Sequence, residues 1–171
     1  KQHNFKRGVA AFSYSQGMKK SMYAFKYNNR REYAKYYASV IAKEFKDVIF
    51  SWNCEVLVPV PLHRSKLIKR GYNQAEILAK RLSEQLLIPM DNKILIRTRN
   101  TAPLKELNEK ERITNLKSAF QTDEIKLKYK RIILVDDIYT TGSTIDECAW
   151  TLLRNGAEEV YFITACIGRG F

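Results

Sequence analysis

The chain has 171 residues, 45% of them hydrophobic, and 30 lysines and arginines against 18 acidic residues give a formal net charge of +12. This length and composition suit one globular domain with its own core, and no apolar run approaches the roughly 18 residues that a membrane span requires. The three cysteines form no CxxC pair, which excludes a zinc ribbon within the chain and is typical of free thiols in a reducing cytoplasm.

The positive charge lies mainly in the first half of the chain. Residues 1–36 carry nine basic residues and one acid, residues 63–81 carry six and one, and residues 132–171 carry two basic and six acidic residues. This asymmetry indicates a polyanionic partner, either a nucleic acid or a phosphorylated small molecule. A solvated basic surface that aids solubility is the alternative interpretation.

The first part of the chain predicts a strand and two helices ahead of a buried strand. Residues 8–15 alternate weakly between apolar and polar, which is typical of a strand. The segment 17–29 repeats apolar residues at helical spacing, and residues 31–50 do so over a longer stretch. The short β-branched run at 54–61 ends in prolines and predicts a buried strand.

From residue 54 onward, predicted strands alternate with predicted helices. This alternation favours a parallel sheet that is covered on both faces. In chain order, the further elements are a helix at 73–86, a strand at 92–100, a long polar loop leading into a short helix at 101–115, a strand at 131–135, a helix at 143–156 and a strand at 159–167.

The stretch RIILVDDIYTTGST, residues 131–144, carries the strongest functional signal. A buried strand delivers Asp136 and Asp137 to the sheet edge where ligands of such folds bind. A tight turn into a helix N-terminus forms an anion site, and Gly142 allows the backbone to approach closely. The carboxylates suit ribose hydroxyls, so a ribose 5-phosphate fits both halves. The hydroxyl groups that add donors belong to Thr140, Thr141, Ser143 and Thr144.

This stretch has two other interpretations. A Walker A loop requires GxxxxGK[ST], which the chain lacks. A capped strand-to-helix turn with solvated acids has no need of a ligand, but adjacent acids that follow a four-residue buried run favour one.

These residues also carry a family resemblance. IILVDDIYTTGST resembles the 13-residue phosphoribosyl pyrophosphate (PRPP) motif of type I phosphoribosyltransferases. Together with VPVPLHRSKLIKRGYNQAEILAKRL and LIRTRNTAPLKELNEKERITNLKSAF, it is similar to the ComF/ComFC late-competence family, which includes GntX-like proteins. The resemblance implies an α/β, type I phosphoribosyltransferase-like fold, with a central parallel sheet flanked by helices and an N-terminal strand and helices. It also implies a single domain over residues 1–171, without the zinc ribbon that the family carries at its N-terminus.

The resemblance implies a role for each part of the site. Asp136 and Asp137 would hold the ribose hydroxyls of PRPP, and Mg²⁺ would bind through PRPP rather than through protein ligands of its own. The 5′-phosphate would be held by Thr140, Thr141, Gly142, Ser143 and Thr144. The pyrophosphate loop would comprise Pro61, Leu62, His63 and Arg64. Further candidate anion contacts are Arg70, Arg97, Arg99 and Arg112, and residues 98–112 would form a mobile loop over PRPP.

The implied function is that of a PRPP-binding competence protein that handles incoming single-stranded DNA in natural transformation. Its location would be cytoplasmic, or peripheral at the inner membrane. Its partners would be DNA-uptake proteins there, such as a helicase-like ComF partner or DNA-processing proteins. A nucleobase-salvage phosphoribosyltransferase and a PRPP-sensing regulator stay open as alternatives, and the catalytic residues are unknown. The candidate DNA contacts are Lys19, Lys20, Lys26, Arg30 and Arg31.

Overall fold

The computed structural model describes residues 3–99, 119–122 and 127–168. Within these ranges the chain forms six strands and five helices. In chain order the elements are β1 (Gly8–Ser13), α1 (Gln16–Tyr27), α2 (Tyr33–Ser51), β2 (Val56–Pro59), α3 (Arg64–Arg70), α4 (Gln74–Leu86), β3 (Leu95–Arg97), β4 (Phe120–Thr122), β5 (Arg131–Tyr139), α5 (Ser143–Arg154) and β6 (Glu159–Ile167).

The described strands form a four-stranded parallel sheet in the order β1-β6-β5-β2, and β3 pairs with β4 in a separate antiparallel ribbon. In the main sheet, Val58 lies opposite Leu134, and Leu134 lies opposite Phe162. All four strands run in the same direction, so their carboxyl ends meet at one edge. The predicted parallel sheet is confirmed.

The continuous apolar run of β5 arises because helices cover both faces of the sheet. Ile133 and Val135 contribute to a core with α1, α2 and α4, whereas Ile132 and Leu134 contribute to a second core with α5. All four side chains are fully buried. A strand that is buried on both faces has no need of polar alternation, which explains the sequence pattern.

The N-terminal helices are bound to the sheet by a cluster of large side chains. Phe25 of α1 and Tyr37 and Ile41 of α2 are each at most 1% exposed. The rings of Phe25 and Tyr37 meet edge to face with centroids 5.4 Å apart. Tyr37 is therefore a core residue, whereas Tyr23 and Tyr27 of α1 remain more than half exposed.

Three elements differ from the sequence predictions. β4 (Phe120–Thr122) lies in a segment for which no strand was predicted. α3 was not predicted because none of its residues is buried, so it carries no apolar stripe. β5 does not end at residue 135 as predicted. It continues to Tyr139, because β6 pairs with it as far as Tyr139–Ile167, whereas β2 pairs only as far as Pro59–Val135. The polar loop and short helix predicted at 101–115 lie outside the described residues.

The packing of α2 yields a stability prediction. Ile41→Ala removes a fully buried side chain and should lower the free energy of unfolding by about 2 to 5 kcal/mol. Ile68→Ala is the matched control on α3, since Ile68 is 73% exposed, and it should change that energy by less than about 0.5 kcal/mol. Urea unfolding followed by circular dichroism measures both. Equal losses would contradict the assignment of Ile41 to the core.

Candidate functional site

A polar cleft lies where β2 and β5 end, beside α1, α3 and α4. Its cavity volume is about 360 Å³. We call it the ligand cleft, and it is lined by Lys26, Tyr27, Val60, Pro61, Leu62, Lys66, Arg70, Gln74, Arg97, Asp136, Asp137, Ile138, Thr140 and Thr144. These residues come from segments distant in sequence, and the common edge of the parallel strands brings them together.

The two carboxylates of β5 are held differently. Asp137 is only 5% exposed, and its Oδ2 lies 2.7 Å from Lys26 Nζ and 3.2 Å from Gln74 Nε2, which donates to it. Its Oδ1 accepts from the Ile138 N–H at 2.7 Å. Asp136, on the opposite face of the strand, is partly buried and accepts from the Asp137 N–H at 2.8 Å. Asp137 therefore forms a buried ion pair, while Asp136 has no cation within 4 Å among the described residues.

The protonation of this pair reflects burial and mutual charge. Burial raises the pKa of Asp136 well above its usual range, and the negative charge of Asp137 raises it further. For Lys26, burial acts to lower the pKa, but attraction to Asp137, the hydrogen bond to that carboxylate and the charge of Asp136 outweigh it, so the pKa of Lys26 is raised. The Lys26 ammonium thus stays charged and neutralises Asp137.

The segment RGYNQ, residues 70–74, builds one wall of the ligand cleft. Gly71 ends α3 with a left-handed φ of 83°, and Asn73 begins α4 by accepting from the Ala75 N–H at 3.1 Å. Tyr72 Oη donates to the carbonyl oxygen of Phe25, which fixes α1 beside the cleft. Gln74 accepts from Arg70 through its carbonyl oxygen while its amide reaches Asp137.

Four cations line another wall of the ligand cleft. Lys66 and Arg70 of α3 lie beside Lys26 and Arg97. Burial lowers the pKa of Lys66, and repulsion from Arg97, Arg70 and Lys26 lowers it further. Burial also lowers the pKa of Arg97. Among the described lining residues, four cations against two carboxylates leave the ligand cleft with excess positive charge, which an anionic ligand would relieve.

The hydroxylated turn closes the cleft at the start of α5. Gly142 is the N-cap with a φ of 76°, and a Cβ there would collide with the ring of Tyr139. The position therefore requires glycine for both backbone and packing reasons. Thr140 and Thr144 line the cleft, and the first turn of α5 supplies N–H groups that have no intrahelical acceptor.

Comparison with known proteins identifies the family. A model described as Phosphoribosyl transferase domain matches residues 67–170. Competence protein F of Haemophilus influenzae is 42% identical over 108 residues, which cover 62% of this chain and 47% of that protein. DNA utilization protein YhgH of Salmonella typhimurium is 32% identical over 165 residues, which cover 95% of this chain and 72% of that protein. The chain belongs to the ComF/ComFC family of type I phosphoribosyltransferase-like proteins.

The fold agrees with this family, so the predicted type I phosphoribosyltransferase-like architecture is confirmed. Glutamine PRPP amidotransferase from B. subtilis, solved with ADP and GMP, matches with a TM-score of 0.51 and 18% identity, over 82% of this chain and 30% of that one. This likeness concerns the fold alone. The chain spans about half the length of the first curated relatives it matches, 47% and 48%.

The structure of this ComF/ComFC-family chain brings together only part of the predicted site. His63 instead caps α3 by accepting from the Ser65 N–H, and Arg64 does not line the cleft. Arg99 is exposed and also does not line it, and Arg112 lies outside the described residues. The predicted residues that do line it are Pro61, Leu62, Arg70, Arg97, Asp136, Asp137, Thr140 and Thr144.

Other candidate residues occupy places that the sequence did not predict. Thr141 Oγ1 and Ser143 Oγ lie 2.8 Å apart and bond to each other. Lys26, a candidate DNA contact, belongs to the ligand cleft. Lys66 was missed because its helix, α3, was not predicted, and its spacing of four from Arg70 would have been the signal.

The three cysteines, Cys54, Cys148 and Cys166, are free thiols. Burial raises the pKa of Cys54 to about 12 and that of Cys166 to about 11. In the ranges that the structure describes, no group of three His, Cys, Asp or Glu side chains is placed to hold a metal ion. None of the described helices is long and apolar enough to span a membrane.

The raised pKa of Asp136 yields a pH prediction. Between the unfolded value, about 3.9, and the higher folded value, the folded protein binds more protons than the unfolded chain, so stability falls as pH rises. The Asp136→Asn substitution removes this loss of stability with rising pH, and the amide oxygen that it introduces can still accept from the Asp137 N–H. The variant should therefore gain more stability over the native protein at neutral pH than at about pH 3.

Urea unfolding at the two pH values measures this difference. Asp47→Asn on the exposed side of α2 is the control and should change stability little at either pH. An Asp136→Asn variant that is less stable than the native protein at neutral pH would contradict the assignment.

Proposed function

We propose that this ComF/ComFC-family chain binds PRPP in the ligand cleft and handles incoming single-stranded DNA in natural transformation. One observation carries the first half of the proposal. A single cleft combines adjacent carboxylates, a cluster of four cations and a hydroxylated helix N-terminus. PRPP presents vicinal hydroxyls, a diphosphate and a 5′-phosphate, and each of these groups finds a complementary wall.

The residues divide among the parts of the ligand. Asp136 and Asp137 accept from the ribose hydroxyls, and the turn at 140–144 receives the 5′-phosphate at the start of α5. Lys66, Arg70 and Arg97 neutralise the diphosphate. Ribose hydroxyls at Asp137 would replace Lys26 and Gln74, and the released ammonium of Lys26 would then face phosphate oxygens in the same cleft.

The donor set also fits Mg²⁺ delivered with the ligand. Mg²⁺ prefers oxygen donors and is commonly held by one or two carboxylates together with substrate phosphates. The diphosphate of PRPP would supply those oxygens, so the ion would bind through the ligand and offset the charge of the diphosphate. Asp136 and Asp137 line the same cleft and would hold the ribose hydroxyls beside it.

The DNA-handling half of the proposal rests on α1, the segment that follows it, and the names of the relatives. One relative is named for competence, Competence protein F, and another for DNA utilization, YhgH. Lys19 and Lys20 are exposed on α1, where the rings of Tyr23 and Tyr27 also reach solvent. Arg30 and Arg31, just after α1, are exposed too. Cations interleaved with open aromatic rings suit the backbone and bases of a single strand.

The PRPP assignment predicts loss of binding when both carboxylates become amides. Asp136→Asn with Asp137→Asn should reduce the affinity for PRPP and Mg²⁺ by at least about 100-fold, because hydrogen bonds to charged acceptors contribute about 1.5 to 3 kcal/mol each. Isothermal titration calorimetry measures it. In the control pair, Asp47→Asn with Asp91→Asn, neither residue lines the cleft, and the variant should bind as the native protein does. Unchanged affinity in the folded double amide would refute the site.

The DNA assignment predicts a salt-dependent affinity that α1 controls. Glu in place of both Lys19 and Lys20 should flatten the log–log salt dependence of single-strand binding by about 1.4, since each lost phosphate contact contributes about 0.7. PRPP binding should be unaltered, because neither lysine lines the ligand cleft. Fluorescence anisotropy with a labelled oligonucleotide measures the slope.

Reversal of Lys80 and Lys93 to Glu is the control, because it changes the net charge equally on exposed residues elsewhere. An equal effect of both pairs would show that DNA binding depends on the net charge of the protein and not on contacts with α1. Salvage of a free nucleobase, the competing function, predicts no single-strand binding at physiological salt and pyrophosphate release with one particular base.

A further inference from the structure

A second recess opens beside the ligand cleft, between the end of α1 and α3. Its cavity volume is about 300 Å³. We call it the entry pocket, and it is lined by Lys26, Tyr27, Lys66, Lys69 and Arg70. Lys69 belongs to the entry pocket alone, whereas the other four residues also line the ligand cleft. The two cavities therefore adjoin, and a molecule in one would lie against a molecule in the other.

The described residues that line the entry pocket carry only positive charge. Four of its five lining residues are cations, and among the described residues no carboxylate lines it. Lys66, Lys69 and Arg70 share one face of α3, since they are three and four positions apart, and like charges at this spacing repel. The C-terminal ends of α1 and α3 offset part of this charge. The pKa of Lys66, lowered by burial and by its cationic neighbours, is consistent with charge that remains unneutralised.

The fifth residue adds an aromatic surface. Tyr27 is 59% exposed, and the guanidinium of Arg70 lies 5.0 Å from its ring centroid. Tyr23, one turn earlier and 58% exposed, lies with its ring centroid 4.9 Å from that of Tyr27, at an interplanar angle of 49°. Open rings beside a cluster of cations suit a ligand that is both planar and anionic.

We infer that the entry pocket binds a nucleotide unit, with its phosphate among the cations of α3 and its base on the aromatic surface of α1. The unit belongs either to a free mononucleotide or to a nucleic-acid strand. A neutral nucleobase would leave Lys69 without a counter-charge, because Lys69 does not line the ligand cleft, where the diphosphate of PRPP would neutralise Lys66 and Arg70. This inference deepens the proposed function, because it places a nucleotide next to the ligand cleft and so names the class of the second ligand.

The experiment titrates the native protein with dAMP, adenine and a 5′-phosphorylated deoxyadenosine octamer, in saturating PRPP and Mg²⁺ so that the ligand cleft is filled. dAMP should bind more tightly than adenine. Lys69→Gln should weaken dAMP binding by about 2- to 5-fold and leave PRPP binding unchanged, because Lys69 does not line the cleft. Lys80→Gln, on the exposed side of α4, is the matched control and should have no effect.

The ring of Tyr27 is tested separately. Tyr27→Leu should weaken dAMP binding by about 5- to 100-fold, the range expected for loss of one base stack, whereas Tyr27→Phe keeps the ring and should retain it. An octamer that binds more tightly than dAMP identifies a strand as the source, and equal affinities identify a free nucleotide.

Three results would overturn the inference: adenine binding as tightly as dAMP, dAMP being displaced by PRPP, or no effect of Lys69→Gln and Tyr27→Leu. Absence of PRPP binding to the native protein would instead refute the proposed function. The titrations repeated without PRPP would then still report on the entry pocket, so the two failures are distinguishable.

Discussion

The ion pair between Lys26 and Asp137 joins the N-terminal helix to the carboxyl edge of the sheet, and the ligand cleft depends on it. The two charged atoms lie 2.7 Å apart, and Asp137 is almost fully buried. A buried carboxylate without a partner would be strongly destabilising, so the Lys26 ammonium supplies the partner that Asp137 needs before any ligand arrives. Gln74 and Arg70 extend the pair into a chain of hydrogen bonds that reaches α3. One network thus aligns α1, α3, α4 and β5 around the cleft.

The electrostatics of the cleft are incompletely balanced, and the imbalance has a direction. Burial and the neighbouring Asp137 raise the pKa of Asp136, so its carboxylate lacks sufficient positive charge nearby. Burial and the neighbouring cations lower the pKa of Lys66, so its ammonium lacks sufficient negative charge. A ligand that brings a cation or hydroxyl donors to one wall and phosphates to the other relieves both. Unbalanced negative charge at Asp136 and unbalanced positive charge at Lys66 together favour a bound sugar phosphate more strongly than net charge alone does.

Much of the architecture follows from the sequence because its signals are local. β5 and α5 combine a doubly buried run, a left-handed glycine and an amphipathic helix within 24 residues, Arg131–Arg154, so they could be predicted from neighbours in the chain. α3 could not, because none of its residues is buried and its capping residue is a histidine. The pairing of Lys26 with Asp137 joins residues 111 positions apart in the numbering, and no local pattern encodes such a contact. For this reason the sequence predicted Lys26 to be a DNA contact in a basic segment and not part of the ligand cleft.

A crystal structure of the protein with PRPP and Mg²⁺ tests the central claim most directly. The account predicts the ribose hydroxyls on Asp136 and Asp137, the 5′-phosphate at the start of α5 beside Thr140 and Thr144, and Lys26 turned from Asp137 toward phosphate oxygens. PRPP bound elsewhere, with the pair of Lys26 and Asp137 intact and the ligand cleft empty, would contradict it.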